Sequence, residues 1–476
     1  MSISLKNIFV FSFLFFLLAL PAHLWAQSEA QSEPQSGAQT GADAAVTAGA
    51  GGGGPSGGPE PEAASPEGPE AIEYTPPDPE GFVELCGSAG PEEIKRALEA
   101  GLDVNHVSEV GLTPFLSAAA FNSDLESLKT LLEAGANLEA VENRFGLNAL
   151  MLAASHNPKP EMIDFLVGQG ISVDFQNFQG GSALIQAASS NPNPAVTEAL
   201  IKAGAKVNAT DSLGATALMH AAGYGKTPVI RKLLENGADV TLKDESGDAA
   251  LAWAARGNVD SGAIFELLKA KADPYDKNLR GLSVLYHSAV NQNSDVLAIL
   301  LQATNYDLSL LEAPDGSPLF VATYFNPNVN VARRLLSLGG DVNQTHVDGM
   351  TLLMASLVNP EPAMTKLILS QRVDPNETDS HDRTALMLAA AIVDNPVVIR
   401  LLLGAGAKLD LKDKDGLTAF DYAEKNKNPA VTELFEVLKA KNPTADQAQQ
   451  AGPAVSAQSA ASSESAESAD KADKDD

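Results

Sequence analysis

The sequence predicts an all-α solenoid of about eleven helix-turn-helix units between two disordered tails. Three observations predict it. Ten short segments repeat one pattern at a spacing of 33 to 35 residues, beginning at Gly111, Gly146, Gly180, Gly214, Gly247, Gly281, Asp315, Gly349, Asp382 and Gly416. Each is followed by a denser apolar run, as in SLKTLLEAGA, VTEALIKAGA and VIRLLLGAGA, with apolar residues at i, i+3 and i+4. Outside the repeats the composition shifts to Gly, Pro, Ala, Ser and Glu at one end and to an acidic, Ala/Ser-rich stretch at the other. A fixed period of this size means like units stacked on their neighbours, so the 476-residue length does not force several closed domains.

Taken from the N-terminus, Lys6, the Phe/Leu-rich run from Ile8 to Leu20, Pro21 and Ala26 read as an export signal over 1–26. The run is short for a membrane-spanning helix, and no later segment could span one. An uncleaved N-terminal anchor is the alternative. Residues 27–79, with GAGGGGPSGGPEPE at their centre, hold too little apolar surface to order themselves and read as a spacer. The repeat array is expected over 80–440 and an acidic disordered tail over 441–476.

Within a unit the Thr or Ser two residues after the glycine can cap a first helix, as Thr216 does in TALMHAA. Paired alanines such as Ala118-Ala119, Ala153-Ala154 and Ala389-Ala390 let the next unit approach closely. Asn-Pro recurs at 157–158, 191–192, 326–327, 359–360, 395–396 and 428–429. Proline disfavours helix at the residue before it and suits the first turn of a helix after it, so the dipeptide is expected both to stop helix one and to start helix two. The second helix ends at Gly101, Gly135, Gly170, Gly204, Gly237, Gly339 and Gly406 in a left-handed cap. Lys271 and Arg372 fill the same slot and should close less favourably, by up to about 1 kcal/mol each.

This arrangement resembles the ankyrin repeat. Thr113-Pro114-Phe115, Ala118-Ala119, Leu131-Leu132 and Gly135-Ala136 follow the family order, and Gly237-Ala238-Asp239-Val240 and Gly340-Asp341-Val342-Asn343 match its loop. The resemblance covers about residues 80–440, and a degenerate first unit from Phe82 to Asn105 brings the total to eleven. The histidine that the family places after the Thr-Pro-Leu leucine is replaced by Leu116, Met151, Ile185, Met219 and their equivalents, so apolar packing must replace its hydrogen bonds. The resemblance implies a non-catalytic module that binds other proteins through loop tips and the inner face of the first helices.

The chemistry legible in the chain agrees with that implication. No nucleophile–base arrangement, phosphate loop, metal-ligand spacing or cofactor motif stands out. The lone Cys86 reads as a small buried apolar residue, and Asp413-Lys414-Asp415-Gly416 as a turn rather than a calcium loop. The Asn-x-Thr triplets at 208, 343 and 376 are explained by the repeat loop. A net charge of −29 argues against nucleic acid and anionic membrane as partners and for solubility. The expected partner is therefore an unidentified protein, met by a monomeric array in the periplasm or outside the cell, with membrane tethering through an uncleaved signal as the alternative.

Candidate contact residues fall in two columns. The positions just before each repeat glycine include Val110, Phe145, Phe178, Leu213, Leu279 and Val347, a solvent-facing apolar row along the loop tips. His220, Trp253 and His287, in line with Leu152 and Gln186, form a second column that either faces the concave groove or packs between units.

Overall fold

The computed structural model describes residues 74–257, 261–305, 317–426 and 429–441. The expected export signal over 1–26, most of the expected spacer, nearly all of the expected tail, Asp315, Asn428 and the Val347 side chain lie outside the described residues. Among the described residues are twenty-two α-helices and no strand, only isolated antiparallel bridges such as Thr210 to Thr216. The helices form eleven consecutive pairs. Units 1 to 4 are Pro79–Cys86 with Pro91–Glu99, Pro114–Phe121 with Leu125–Glu133, Ala149–His156 with Pro160–Gly168, and Ala183–Ser190 with Pro194–Lys202. Units 5 to 8 are Ala217–Gly223 with Thr227–Glu235, Ala250–Arg256 with Ser261–Lys269, Val284–His287 with Ser294–Ala303, and Pro318–Phe325 with Val329–Ser337. Units 9 to 11 are Leu352–Ala355 with Pro362–Leu369, Ala385–Ile392 with Pro396–Gly404, and Ala419–Ala423 with Pro429–Lys441.

Local chemistry sets each element. The first helices start where a side chain accepts from the third helical N–H: Thr113 from Leu116, Asn148 from Met151, Ser182 from Ile185 and Thr384 from Met387. Ala249 stands at this position in unit 6 and makes no side-chain cap. First helices are apolar on nearly every side, and the alanine pairs at 118–119, 153–154 and 389–390 are fully buried between units. Leu116, Met151, Ile185 and Met219, in the slot where histidine is usual, are buried as well. Second helices bury a single stripe, such as Leu128 and Leu131 or Ile163 and Leu166.

The asparagine of the Asn-Pro dipeptides does something different from the expectation. In Asn157-Pro158, Asn191-Pro192 and Asn326-Pro327 it stops helix one only, and in Asn359-Pro360 it does neither, since Ser356 already ends that helix. Helix two starts two or three residues further on, at Pro160, Pro194, Val329 and Pro362. Asn395-Pro396 is the reverse, capping and starting helix two while Val393 stops helix one. The two jobs separate because the terminating asparagine is pointed into the seam between units and cannot also cap. Its amide nitrogen donates to two carbonyls of the preceding unit: Asn157 to Ala119 O at 3.2 Å and Asn122 O at 2.7 Å, Asn191 to Ala154 O at 3.0 Å and Asn157 O at 2.8 Å, Asn326 to Ala289 O at 2.9 Å and Asn291 O at 2.7 Å. Its oxygen accepts from the backbone N–H two residues on, as from Lys159 and Asn328. Asn122, Asn291, Asn359 and Asn426 repeat the arrangement in units 2, 7, 9 and 11. Where one asparagine carbonyl receives the next amide, the bonds form two runs, through units 2 to 4 and units 7 to 9.

A second, exposed clip joins the outer loops. Asn105, Asn208 and Asn376 donate to the glycine carbonyls at Gly135, Gly237 and Gly406 and accept from Asn137, Asp239 and Lys408 N–H. The Asn-x-Thr triplets at 208 and 376 thus carry structural asparagines. The helix-ending glycines from Gly101 to Gly406 lie in the left-handed region, and Lys271 and Arg372 are held there at φ of 67° and 62°. At Gly101, Gly135 and Gly170 an added Cβ would meet nothing, so the cost of a side chain in this slot is conformational rather than steric.

The clips and caps give three predictions. Asn326→Ala leaves two buried carbonyls without their donor and should lower the unfolding free energy by about 2 to 3 kcal/mol, read from the urea midpoint. Val393→Asn should raise it by about 1 kcal/mol, because Val393 is buried with φ −83° and ψ 128°, close to the −80° and 124° of Asn157. In the same assay Lys271→Gly and Arg372→Gly should each stabilise by up to about 1 kcal/mol by removing a left-handed side chain.

Candidate interaction surface

The loop between units is built around one polar side chain three residues before the repeat glycine. Asp211 Oδ1 accepts from Leu213 and Ala215 N–H, both at 2.9 Å, and Asp244, Asn278, Asp379 and Asp413 bind their own loops in the same way. The carbonyl just before the glycine then accepts from the next loop: Phe178 N–H to Phe145 O at 3.0 Å, Ser212 to Gln179 at 2.9 Å, Glu245 to Leu213 at 2.9 Å and Leu279 to Ser246 at 3.0 Å. Further along, Ser380 bonds Asp348 and Lys414 bonds His381. Successive tips are therefore laced by backbone hydrogen bonds. A side chain is crowded at this approach in most loops, although Asp382 holds the position with φ 59°. A Cβ on Gly180 would stand 2.9 Å from Ser212 N, and one on Gly146 would stand 2.6 Å from the Phe178 ring.

The structure divides the sequence candidates into two groups. Val110, Phe145, Phe178, Leu213 and Leu279 all project into solvent, from 39% exposed at Phe145 to 81% at Leu279. They share one edge of the array, and Val107, Val141, Phe175 and Tyr275, a few residues earlier in the same loops, are exposed beside them. Sequence reasoning missed these neighbours, although apolar residues four to six positions before the glycine were there to be read. The lacing holds the row in register: the Phe178 ring lies against the Gly146 loop while most of its surface stays open.

His220, Trp253 and His287 are instead engaged inward. Each follows its loop's polar residue by nine positions and reaches back to it. His220 Nε2 is 2.8 Å from Asp211 Oδ2, and the Trp253 indole N–H donates to Asp244 Oδ2 at 2.8 Å. His287 Nε2 stands 3.4 Å from Asn278 Nδ2 and 3.2 Å from Asp248 Oδ1. Tyr422 closes the last loop the same way, its hydroxyl 2.6 Å from Asp413 Oδ2. Trp253 is only 3% exposed, with its ring 5.3 Å from His220 and the Arg256 guanidinium 4.8 Å from its centroid. This column brings helix one and its loop together.

A buried ion cluster sits between units 6 and 7. Asp248 pairs with Arg256 of its own unit and His287 of the next. Burial pushes the Asp248 carboxyl up, but His287 and Arg256 outweigh it and hold it at about 2. Asp211 is likewise held below the usual carboxylate range, its burial outweighed by His220 and the loop N–H groups. Cys86 is fully buried and its thiol is pushed up to about 12, so it stays protonated at neutral pH. Among the described residues no group of three or more His, Cys, Asp or Glu side chains is placed to hold a metal ion, and no helix is long and apolar enough to cross a membrane.

Ankyrin repeats, as described for a family of three copies, match residues 85–177, 115–211, 150–244, 184–265 and 352–446, together more than half of the chain. The chain belongs to the ankyrin repeat family. It is also 35% identical over 114 residues to a protein of Rickettsia felis named as an ankyrin repeat protein, a match that spans 23% of this chain and 36% of that relative. Ankyrin repeats are in general a non-catalytic protein-interaction module.

The ion cluster gives a pH prediction. Asp248 has a folded pKa below its ordinary value, so its contribution is present above about pH 4 and is lost as pH falls towards 2. The wild-type chain should lose about 2 kcal/mol more stability than Asp248→Asn between those limits, measured as the difference in urea midpoints across the range. Equal slopes would show that the pairing is not made in solution.

Proposed function

We propose that this chain is a non-catalytic protein-binding scaffold that works after export, in the cell envelope or outside the cell, and takes its partner on the loop-tip row. The observation that carries the reading is the exposed apolar series Val110, Phe145, Phe178, Leu213 and Leu279 set on a hydrogen-bonded edge. Large apolar side chains repeated along one edge of a soluble array mark a contact surface, and fixing them in advance lowers the ordering cost of binding. Export is supported by Lys6 and the Ile8–Leu20 run followed by Ala26. The match to a Rickettsia felis protein supports a bacterial source. The array acts as a monomer, and His220, Trp253 and His287 serve the partner indirectly by holding the loops.

The double variant Phe145→Ser/Phe178→Ser tests the reading. Capture of protein partners by the immobilised chain should fall at least about tenfold, with the melting temperature unchanged, as expected when central apolar anchors are removed. Unchanged capture would rule out the row as the contact surface, and a large fall in melting temperature would place the two rings in the core. N-terminal sequencing of the mature protein tests export by cleavage: a first residue of Gln27 supports release, and an intact Met1 supports tethering.

A further inference from the structure

The apolar row and the charge of the array are unevenly distributed, and they coincide. Residues 78–174, which hold the first three units, carry sixteen acidic and five basic residues; residues 175–441 carry thirty and twenty-four. The first part is thus strongly acidic and the remainder close to balance. Six of the exposed large apolar side chains, Val107, Val110, Val141, Phe145, Phe175 and Phe178, lie on or beside that acidic part. Towards the other end the residues that lace the tips are Asp348, Ser380, His381 and Lys414, none of them apolar.

The carboxylates reach the tips themselves. Glu109 is exposed one residue before Val110, and Glu139 is exposed two residues before Val141. Glu80 turns towards the same loop, accepting from Glu109 N–H at 3.2 Å and lying 3.1 Å from His106 Nε2. The one Lys or Arg in these first two loops is Arg144, and its guanidinium lies 4.9 Å above the centroid of the half-exposed Phe145 ring. That contact is the local example of what the surface favours: a cation on an exposed aromatic face, within a field of negative charge.

We propose that the occupant of this surface is a basic, apolar segment of a partner protein, docked on the tips of the first four units with bulky side chains on Phe145 and Phe178 and Lys or Arg side chains against the flanking carboxylates. The inference rests on the loop-tip reading above and adds the partner's chemistry and its position at the N-terminal end of the array. Opposite charge steers such a segment to the surface and raises its association rate at low salt, and the apolar anchors hold it there.

The test pans a phage-displayed library of random dodecapeptides against the full chain and against its Phe145→Ser/Phe178→Ser variant, then measures binding of the selected peptides in 50 and 500 mM NaCl. The expected result is a set of peptides that need both rings, are enriched in Lys or Arg together with bulky apolar residues, and bind about tenfold or more weakly in high salt. Glu109→Gln/Glu139→Gln should weaken the same peptides severalfold; both side chains are exposed, so folding is not at stake, and melting curves confirm it. Peptides that need the rings but are neutral or acidic and indifferent to salt would overturn the partner chemistry while leaving the loop-tip reading intact. Selected peptides that bind the double variant as well as the wild type would overturn both. Self-association of the chain that the double variant abolishes would make the occupant a second copy and overturn the basic segment.

Discussion

One buried amide, repeated in seven of the eleven units, sets the seams of this array. Every unit of a solenoid ends its first helix against the unit before it, and that ending leaves backbone carbonyls in a seam that water cannot reach. Asn157, Asn191 and Asn326 fill the seam with two donors and one acceptor each, all used. A buried polar group without partners costs more than a satisfied one contributes, so the side chain is tightly constrained in type. Serine is too short to reach two carbonyls and aspartate brings no donors. With the seam fixed, the alanine pairs can pack face to face and the loops emerge at a constant offset, close enough for one tip to hydrogen-bond the next.

The consequence for function is a division of labour within each unit. The alanines and the asparagine set the spacing. The loop aspartate and the residue nine positions on, as in Asp211 with His220 or Asp244 with Trp253, fix the shape of the loop. Nothing in that framework requires the residues at the very tip to be apolar. Phe178 and Leu279 are mostly exposed, so burial in the array does not account for their type. Their backbones are fixed while their side chains are open, which is the condition for binding without a large ordering cost.

Much of this was legible in the residues. The period, the capping Thr and Ser, the alanine pairs and the left-handed glycines are local signals, and the structure shows each of them at work. The exposed tip row was readable because its position follows from counting back from a glycine. What sequence could not show was anything that joins residues some 35 positions apart. Asn157 looks like half of a turn dipeptide until Ala119 and Asn122 are placed beside it. The histidines and Trp253 look like an open column until Asp211, Asp244 and Asp248 take up their polar atoms. In both cases the missing information was the partner, since a polar side chain reads the same in a seam or on a surface. The spacing between the alanine pair and the next helix held a clue, because the extra residues of the Asn-Pro units are the length of chain needed to turn the asparagine inward before the second helix begins.

The most direct measurement is amide hydrogen exchange at the tips of the full chain. The N–H groups of Phe178, Ser212, Glu245 and Leu279 belong to loop residues with exposed side chains, yet each is bonded to the preceding loop. If the tips are a fixed edge, these four amides exchange far more slowly than unstructured peptide, with protection approaching that of the helices beside them. Exchange at the rate of a free loop would mean that the edge is not formed in solution, and that the apolar row is a set of independent mobile side chains rather than one surface.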